Sequence, residues 1–177
     1  MKKIIFLLAM ISACFSVSAQ RFEPQLKVTG EFGVDDYKNT SLGVDFVAGY
    51  RFNDTFRAGL GTGISYCNHY YTDDYKESAA YVPIFLNGKV NFLKSGISPY
   101  LNLDLGMPIF IPFSDYAKNQ SFGLFVRPAF GVDFPLSNKG KIFIELGFKF
   151  QKRELQLLGL KSKANYNQIS CAVGYSF

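Results

Sequence analysis

From Gln20 to the C-terminus, apolar residues alternate with small or polar ones at a period of two, and no stretch sustains the 3.6-residue period of an amphipathic helix. The alternation predicts eight strands, over roughly 26–34, 41–52, 56–67, 81–92, 98–109, 121–134, 141–151 and 167–177. Three connections are short and rich in turn-forming residues: Asn53-Asp54-Thr55, Lys94-Ser95-Gly96 and Ser137-Asn138-Lys139-Gly140. The other four are longer and polar: Asp35 to Thr40, Asn68 to Ser78, Phe113 to Gln120 and Lys152 to Tyr166. Short connections at one end and long ones at the other fit an antiparallel up-and-down barrel, and an even strand number brings both chain ends to the short-turn side.

One strand face is apolar along the chain, as in Leu42, Val44 and Phe46, then Leu60 and Ile64, Ile84 and Leu86, Leu101 to Leu105, Val126 and Phe130, and Ile142 to Leu146 at every second position. The opposite face carries the strand charges: Lys27, Glu31, Asp45, Arg51, Arg57, Lys89, Asp104, Arg127, Asp133, Glu145 and Lys149, six basic and five acidic. A period of two commits each face to one environment. A Lys or Arg facing lipid at mid-depth costs ~2–4 kcal/mol, so six turned outward would outweigh the ~5–15 kcal/mol stability of a typical fold. In a membrane the charged face must therefore point inward. The expected fold is all-β, an eight-stranded antiparallel up-and-down transmembrane β-barrel. Its interior is just wide enough to be filled by side chains, so near-equal numbers of opposite charges predict a hydrogen-bonded ionic plug rather than an open pore. Gly43, Gly49, Gly59, Gly61 and Gly63 fall on the inward parity, where they would make room for long Arg and Lys side chains. Pro128 falls in mid-strand with no free edge to accommodate it, which predicts a bulge, whereas Pro83, Pro99, Pro108 and Pro112 fall near predicted strand ends.

A water-soluble barrel of the lipocalin type has the same strand number with its apolar face inward around a ligand, and alternation alone fits both. The ends separate them. Phe52, Phe56, Phe92, Phe134 and Tyr175 cluster beside the short turns, as an interfacial girdle would. The cationic Met1-Lys2-Lys3, the apolar run from Ile4 to Ile11 and the small residues Val17-Ser18-Ala19 form an export signal cleaved after Ala19. The run is well short of the ~20 residues of a spanning helix. The expected organisation is a signal peptide, residues 1–19, and one barrel domain, residues 20–177. Ile11-Ser12-Ala13-Cys14 also resembles a lipoprotein cleavage box that would leave Cys14 lipidated, but Ala19 is the better-spaced site.

With 177 residues, 48% of them hydrophobic, the chain suits one folded domain and is not disordered. Loss of Lys2 and Lys3 leaves 17 basic against 14 acidic residues, an excess too small to suggest nucleic-acid binding. Cys67 and Cys171 fall on opposite parities, inward and outward, so no disulfide is expected between them.

Ile169, Cys171, Val173, Tyr175 and Phe177 alternate to the last residue. This run resembles the closing strand of Gram-negative outer-membrane barrels, and with the leader the whole chain is similar to small barrels of the OmpX and OmpA type and to the PorT-like families. The resemblance implies residence in the outer membrane, contact with its lipids, and reading of the terminal signal Val173, Tyr175 and Phe177 by the barrel-assembly machinery. A monomer is expected.

Candidate chemistry is sparse. His69 is the single histidine, and Ser65, Ser78 and Asp73 are its neighbours in sequence, but no nucleophile motif surrounds them. No catalytic residue, metal ligand or cofactor is assigned. Gly59-Leu60-Gly61-Thr62-Gly63 lacks the following helix of a phosphate loop and reads as interior spacing. Lys152, Arg153, Lys161 and Lys163 fit either a solvated extension of the last two strands, which loop solvation favours, or a contact surface for lipopolysaccharide phosphates. Tyr70, Tyr71 and Tyr75 offer a surface to an extracellular partner whose identity the sequence does not carry. The expected role is structural or interactive, through surface loops. The alternatives are a lipid-modifying enzyme using His69, a narrow pore, or a soluble carrier.

Overall fold

The structure, a computed structural model, describes residues 21–34, 39–72, 75–112, 120–136, 140–157 and 160–177. They form nine strands: β1 (Arg21–Phe22), β2 (Gln25–Gly33), β3 (Asn39–Arg51), β4 (Phe56–Thr72), β5 (Tyr75–Asn91), β6 (Ser98–Pro112), β7 (Gln120–Pro135), β8 (Lys141–Leu157) and β9 (Leu160–Ser176). All pairings are antiparallel; from β2 onward each strand pairs with its sequence neighbours, β1 pairs with β3, and β2 also pairs with β9, which closes the ring. β1 keeps the register of β2 against β3, with Arg21 opposite Arg51 and Gln25 opposite Val47. Pro24, which has no N–H to give the ladder, separates the two segments. β1 and β2 are thus one stave, and the barrel has the eight staves that the alternation predicts.

Side chains follow the pleat. Leu42, Val44, Phe46, Leu60, Ile64, Leu86, Leu103, Leu124, Phe130, Ile144 and Leu146 lie on the outside, while Lys27, Asp45, Arg57, Asp104, Arg127 and Lys149 are buried within. Because the closed ring pairs every stave on both sides, no strand edge meets lipid.

Two of the expected long loops are mostly strand. β4 and β5 continue to Thr72 and Tyr75, so Asn68–Ser78 is largely a paired hairpin rather than an irregular loop, and β8 and β9 continue to Leu157 and Leu160, the expected extension of the last two strands. These four strands have 17 residues each, against the ~9–11 that a tilted strand needs to cross hydrocarbon. Ladder bonds form between backbones whatever the faces meet, so pairing continues where the apolar stripe has ended.

The expected bulge at Pro128 is absent. β7 and β8 keep one register from Phe125 opposite Gln151 to Pro135 opposite Lys141, and only the steps at Arg127 and Pro128 are missing. One lost N–H removes both steps without displacing the strand. The bulge lies instead between Phe122 and Phe125. Pro83 is not near a strand end either: it sits inside β5, opposite Pro108 of β6, and the β4–β5 ladder skips it with no change of register.

Candidate functional site

The inward parity of all eight staves converges on one feature, a charged lumen. On β2 the inward positions run Gln25, Lys27, Thr29 and Glu31 from the short-turn end toward the hairpin end, each step rising about 7 Å. At the centre Arg127 of β7 binds three carboxylates. Its Nη2 donates to Asp104 Oδ2 at 2.8 Å and to Asp45 Oδ2 at 3.0 Å, its Nη1 to Glu31 Oε1 at 3.2 Å, and its Nε to Asp104 Oδ2 at 3.0 Å. Lys27 Nζ joins the same Asp104 oxygen at 3.1 Å and reaches Glu145 Oε2 at 3.3 Å. β2 and β6 stand four staves apart, as do β3 and β7, so the Lys27–Asp104 and Arg127–Asp45 pairs cross the full lumen.

Neutral groups complete the carboxylates' hydrogen bonding. Asn87 and Asn102 amides donate to Asp104 Oδ1 at 2.6 and 3.2 Å, and the Thr29 hydroxyl donates to Asp45 at 3.2 Å. Tyr100 donates to Glu145 at 3.0 Å. Toward the hairpin end, Glu31 Oε2 accepts from Ser41, Tyr81 and Lys149 at 2.7, 2.9 and 2.8 Å. Above Lys149 the remaining space, bounded by Ser41, Cys67, Tyr81, Gln151 and Tyr166 among others, is about 20 Å³, room for a single water.

Toward the short turns Lys89 pairs with Asp133 at 2.6 Å, and the Asn91 amide donates to the other Asp133 oxygen at 2.8 Å. At the mouth Glu23 is clamped by Arg51 Nε at 2.6 Å, by the Ser176 hydroxyl at 2.9 Å and by Lys141 Nζ at 3.7 Å. Burial pushes the Glu23 carboxyl up, but Lys141, Arg51 and Ser176 together outweigh it and hold it below the usual carboxylate range.

Glu23 and Lys141 belong to this network although the strand charges read from the sequence omit both. Parity could have found them. Glu23 continues the odd-numbered inward series of β2 across Pro24, and Lys141 that of Glu145 and Lys149.

The lumen is also aromatic, which the charge pattern hides. Tyr81, Phe85, Tyr100, Phe125 and Phe143 point inward and are buried. The ammonium of Lys89 lies 3.6 Å from the Tyr100 ring centre, that of Lys149 lies 4.9 Å from Tyr81, and Arg127 lies 5.5 Å from Phe85. The inward glycines accordingly make room chiefly for rings and backbone rather than for cationic chains: a Cβ at Gly61 would meet the Phe85 ring, one at Gly131 the Tyr100 ring, and one at Gly174 the Phe143 ring. Gly49, beneath Arg57, is the glycine that serves a cation as expected.

The remaining candidates do not converge. The His69 backbone pairs with Asn39 and Glu77; its side chain, like Asp73, lies outside the described residues. Ser65 is buried, and Ser78 donates to Asn68 at 2.8 Å. Cys67 is buried, its thiol donating to the Ala79 carbonyl at 3.3 Å, and Cys171 is exposed, with no disulfide between them. Lys152 is exposed beside the last hairpin, whereas the side chains of Arg153, Lys161 and Lys163 lie outside the described residues, as do Ala19 and Cys14. Val173 and Phe177 face outward, with the Tyr175 ring packed edge-on against Phe177 at 4.8 Å. Among the described residues no group of three or more His, Cys, Asp or Glu could hold a metal.

A comparison with curated proteins finds no match. Among solved structures the fold is similar to neisserial surface protein A, with a TM-score of 0.60 at 14% identity, covering 90% of this chain and 98% of that one. It is similar also to the outer membrane protein OprG of Pseudomonas aeruginosa, with a TM-score of 0.54 at 15% identity, covering 89% and 97%. The family described as outer membrane protein beta-barrel domain matches residues 5–177. The closed eight-stave barrel with its apolar exterior agrees with that match, and the chain belongs to this family of the Gram-negative outer membrane.

Proposed function

We propose that this barrel serves a structural or surface-interaction role, acting through its projecting hairpins and neither as an enzyme nor as a pore. The observation that carries the reading is the set of ties across the lumen. Arg127 and Lys27 bind carboxylates on the opposite wall, and further ion pairs sit above and below them. Breaking a buried pair costs about 3–5 kcal/mol, so opening a path for solute would cost far more than relocating a surface side chain. Function is then left to the exterior and the ends. The β4–β5 hairpin, with Tyr70, Tyr71 and Tyr75, is the proposed partner surface. The proposal extends to Lys152, Arg153, Lys161 and Lys163 as contacts for lipopolysaccharide phosphates, and to the outward Val173, Tyr175 and Phe177 as the assembly signal.

Two measurements test it. Purified protein in planar bilayers is expected to give no steady conductance, and a reproducible ohmic channel would overturn the reading. Deletion of residues 69–76 is expected to preserve heat-modifiable gel migration while abolishing partner capture at the surface of intact cells. Undiminished capture would remove the hairpin from the account.

A further inference from the structure

Arg57 differs from the other fully buried cations. Lys27, Lys89, Arg127 and Lys149 each touch a carboxylate at 3.1 Å or less. The Arg57 guanidinium, 3% exposed, is bound by neutral oxygens alone: the Gln25 side-chain carbonyl, Asn87 Oδ1 at 2.8 Å and the Glu23 backbone carbonyl at 3.3 Å. Two donors at this spot are buried without an acceptor, Arg57 Nε and Gln25 Nε2. They belong to side chains in contact, because Arg57 Nη2 donates to the Gln25 carbonyl. The amide orientation is fixed by the same contact, since a flipped amide would put its own N–H groups against a cation.

The wider lumen agrees in sign. Among the described residues seven cations line it (Lys27, Arg51, Arg57, Lys89, Arg127, Lys141 and Lys149) against six carboxylates, Glu23, Glu31, Asp45, Asp104, Asp133 and Glu145. Of these cations Arg57 is the one with no carboxylate in contact among the described residues; Glu23, Glu145 and Asp133 act on it only from beyond ion-pair distance. A water can accept from both orphan nitrogens, but it cancels no charge and brings two hydrogens that need acceptors of their own. An anion accepts from both and supplies the counter-charge, which is worth more at this depth than in water. Gly49 lies against the guanidinium, and a Cβ there would stand 3.1 Å from its carbon, so the group is held in place by backbone.

We propose that Arg57 and Gln25 form a binding site for a small inorganic anion of chloride size in the short-turn half of the lumen. The barrel would thus complete its internal charge balance with an ion taken from solution. Gln25→Glu is the decisive variant, because it places a carboxylate where the amide now sits.

The test compares full-length protein refolded in detergent with chloride against gluconate, at fixed ionic strength and pH, by the temperature at which the heat-modifiable band is lost. Wild type is expected to gain about 2–4 °C in chloride, saturating with concentration. Both Gln25→Glu and Arg57→Gln are expected to lose that response, the first with its midpoint already raised. Either variant suffices if the other fails to fold. Equal midpoints for wild type in the two salts would overturn the proposal, as would an undiminished chloride response in the variants, which would mark a general salt effect. In crystals grown with bromide, an anomalous peak within hydrogen-bond reach of Arg57 Nε and Gln25 Nε2 supports the site, and an adventitious ion elsewhere only, or water only at this position, refutes it.

Discussion

Asp104 shows how much one inward carboxylate can hold together. It receives Lys27, Arg127, Asn87 and Asn102 on its two oxygens, so Asp104→Ala leaves two buried cations short of a partner. The expected loss is about 3–5 kcal/mol, read as a lowered urea midpoint for refolding into vesicles. Glu23 makes the corresponding point with pH. Its folded carboxyl is held below the ordinary value, so its contribution is present above the ordinary pKa and disappears as pH falls through the folded one. Glu23→Gln is therefore expected to be less stable than wild type at neutral pH, with the gap closing below about pH 4.5. Midpoints measured across an acid series check this, and a gap independent of pH would contradict it. Both residues were accessible to parity, yet only Asp104 was legible as a strand charge, because Pro24 and the start of β2 obscure the stave to which Glu23 belongs.

At the scale of elements, the prolines show what a strand tolerates inside a closed sheet. Pro128 deletes two ladder steps and leaves the register intact on both sides. Pro128→Val should restore the missing bond, worth about 0.5–1.5 kcal/mol, while freeing the unfolded chain by about 0.4–1 kcal/mol. The two nearly cancel. Stability is expected to change by less than about 1 kcal/mol, and the new amide at 128 should exchange as slowly as that of Ala129. Rapid exchange there would show that the strands are separated at this point. The hairpins teach the complementary lesson: an apolar stripe reports where hydrocarbon begins and ends, and backbone pairing between β4 and β5 runs on beyond it.

For the whole molecule, the inversion of inside and outside is the governing fact. Leu103 sits mid-way along β6 on the outward face, opposite Gly88 and Pro128. Leu103→Lys is expected to cost about 2–4 kcal/mol in phospholipid vesicles, against a few tenths for the same change at exposed Leu93 beside a short turn. Urea titration of both variants distinguishes a lipid-facing wall from one facing water, on which the two substitutions would cost about the same.

The sequence by itself determined strand number and which side chains share a face, because a period of two puts charges such as Asp45 and Lys149 together on one face, and the aromatic girdle and leader then turn that face inward. Tertiary structure alone decided who meets whom. Arg127 and Asp45 are 82 residues apart, and their pairing depends on ring closure and on the stagger between opposite staves, neither of which alternation encodes. The same holds for Phe85 against Gly61 and for the lone guanidinium of Arg57: partners in a lumen come from opposite walls, and a linear pattern specifies walls, not distances across them.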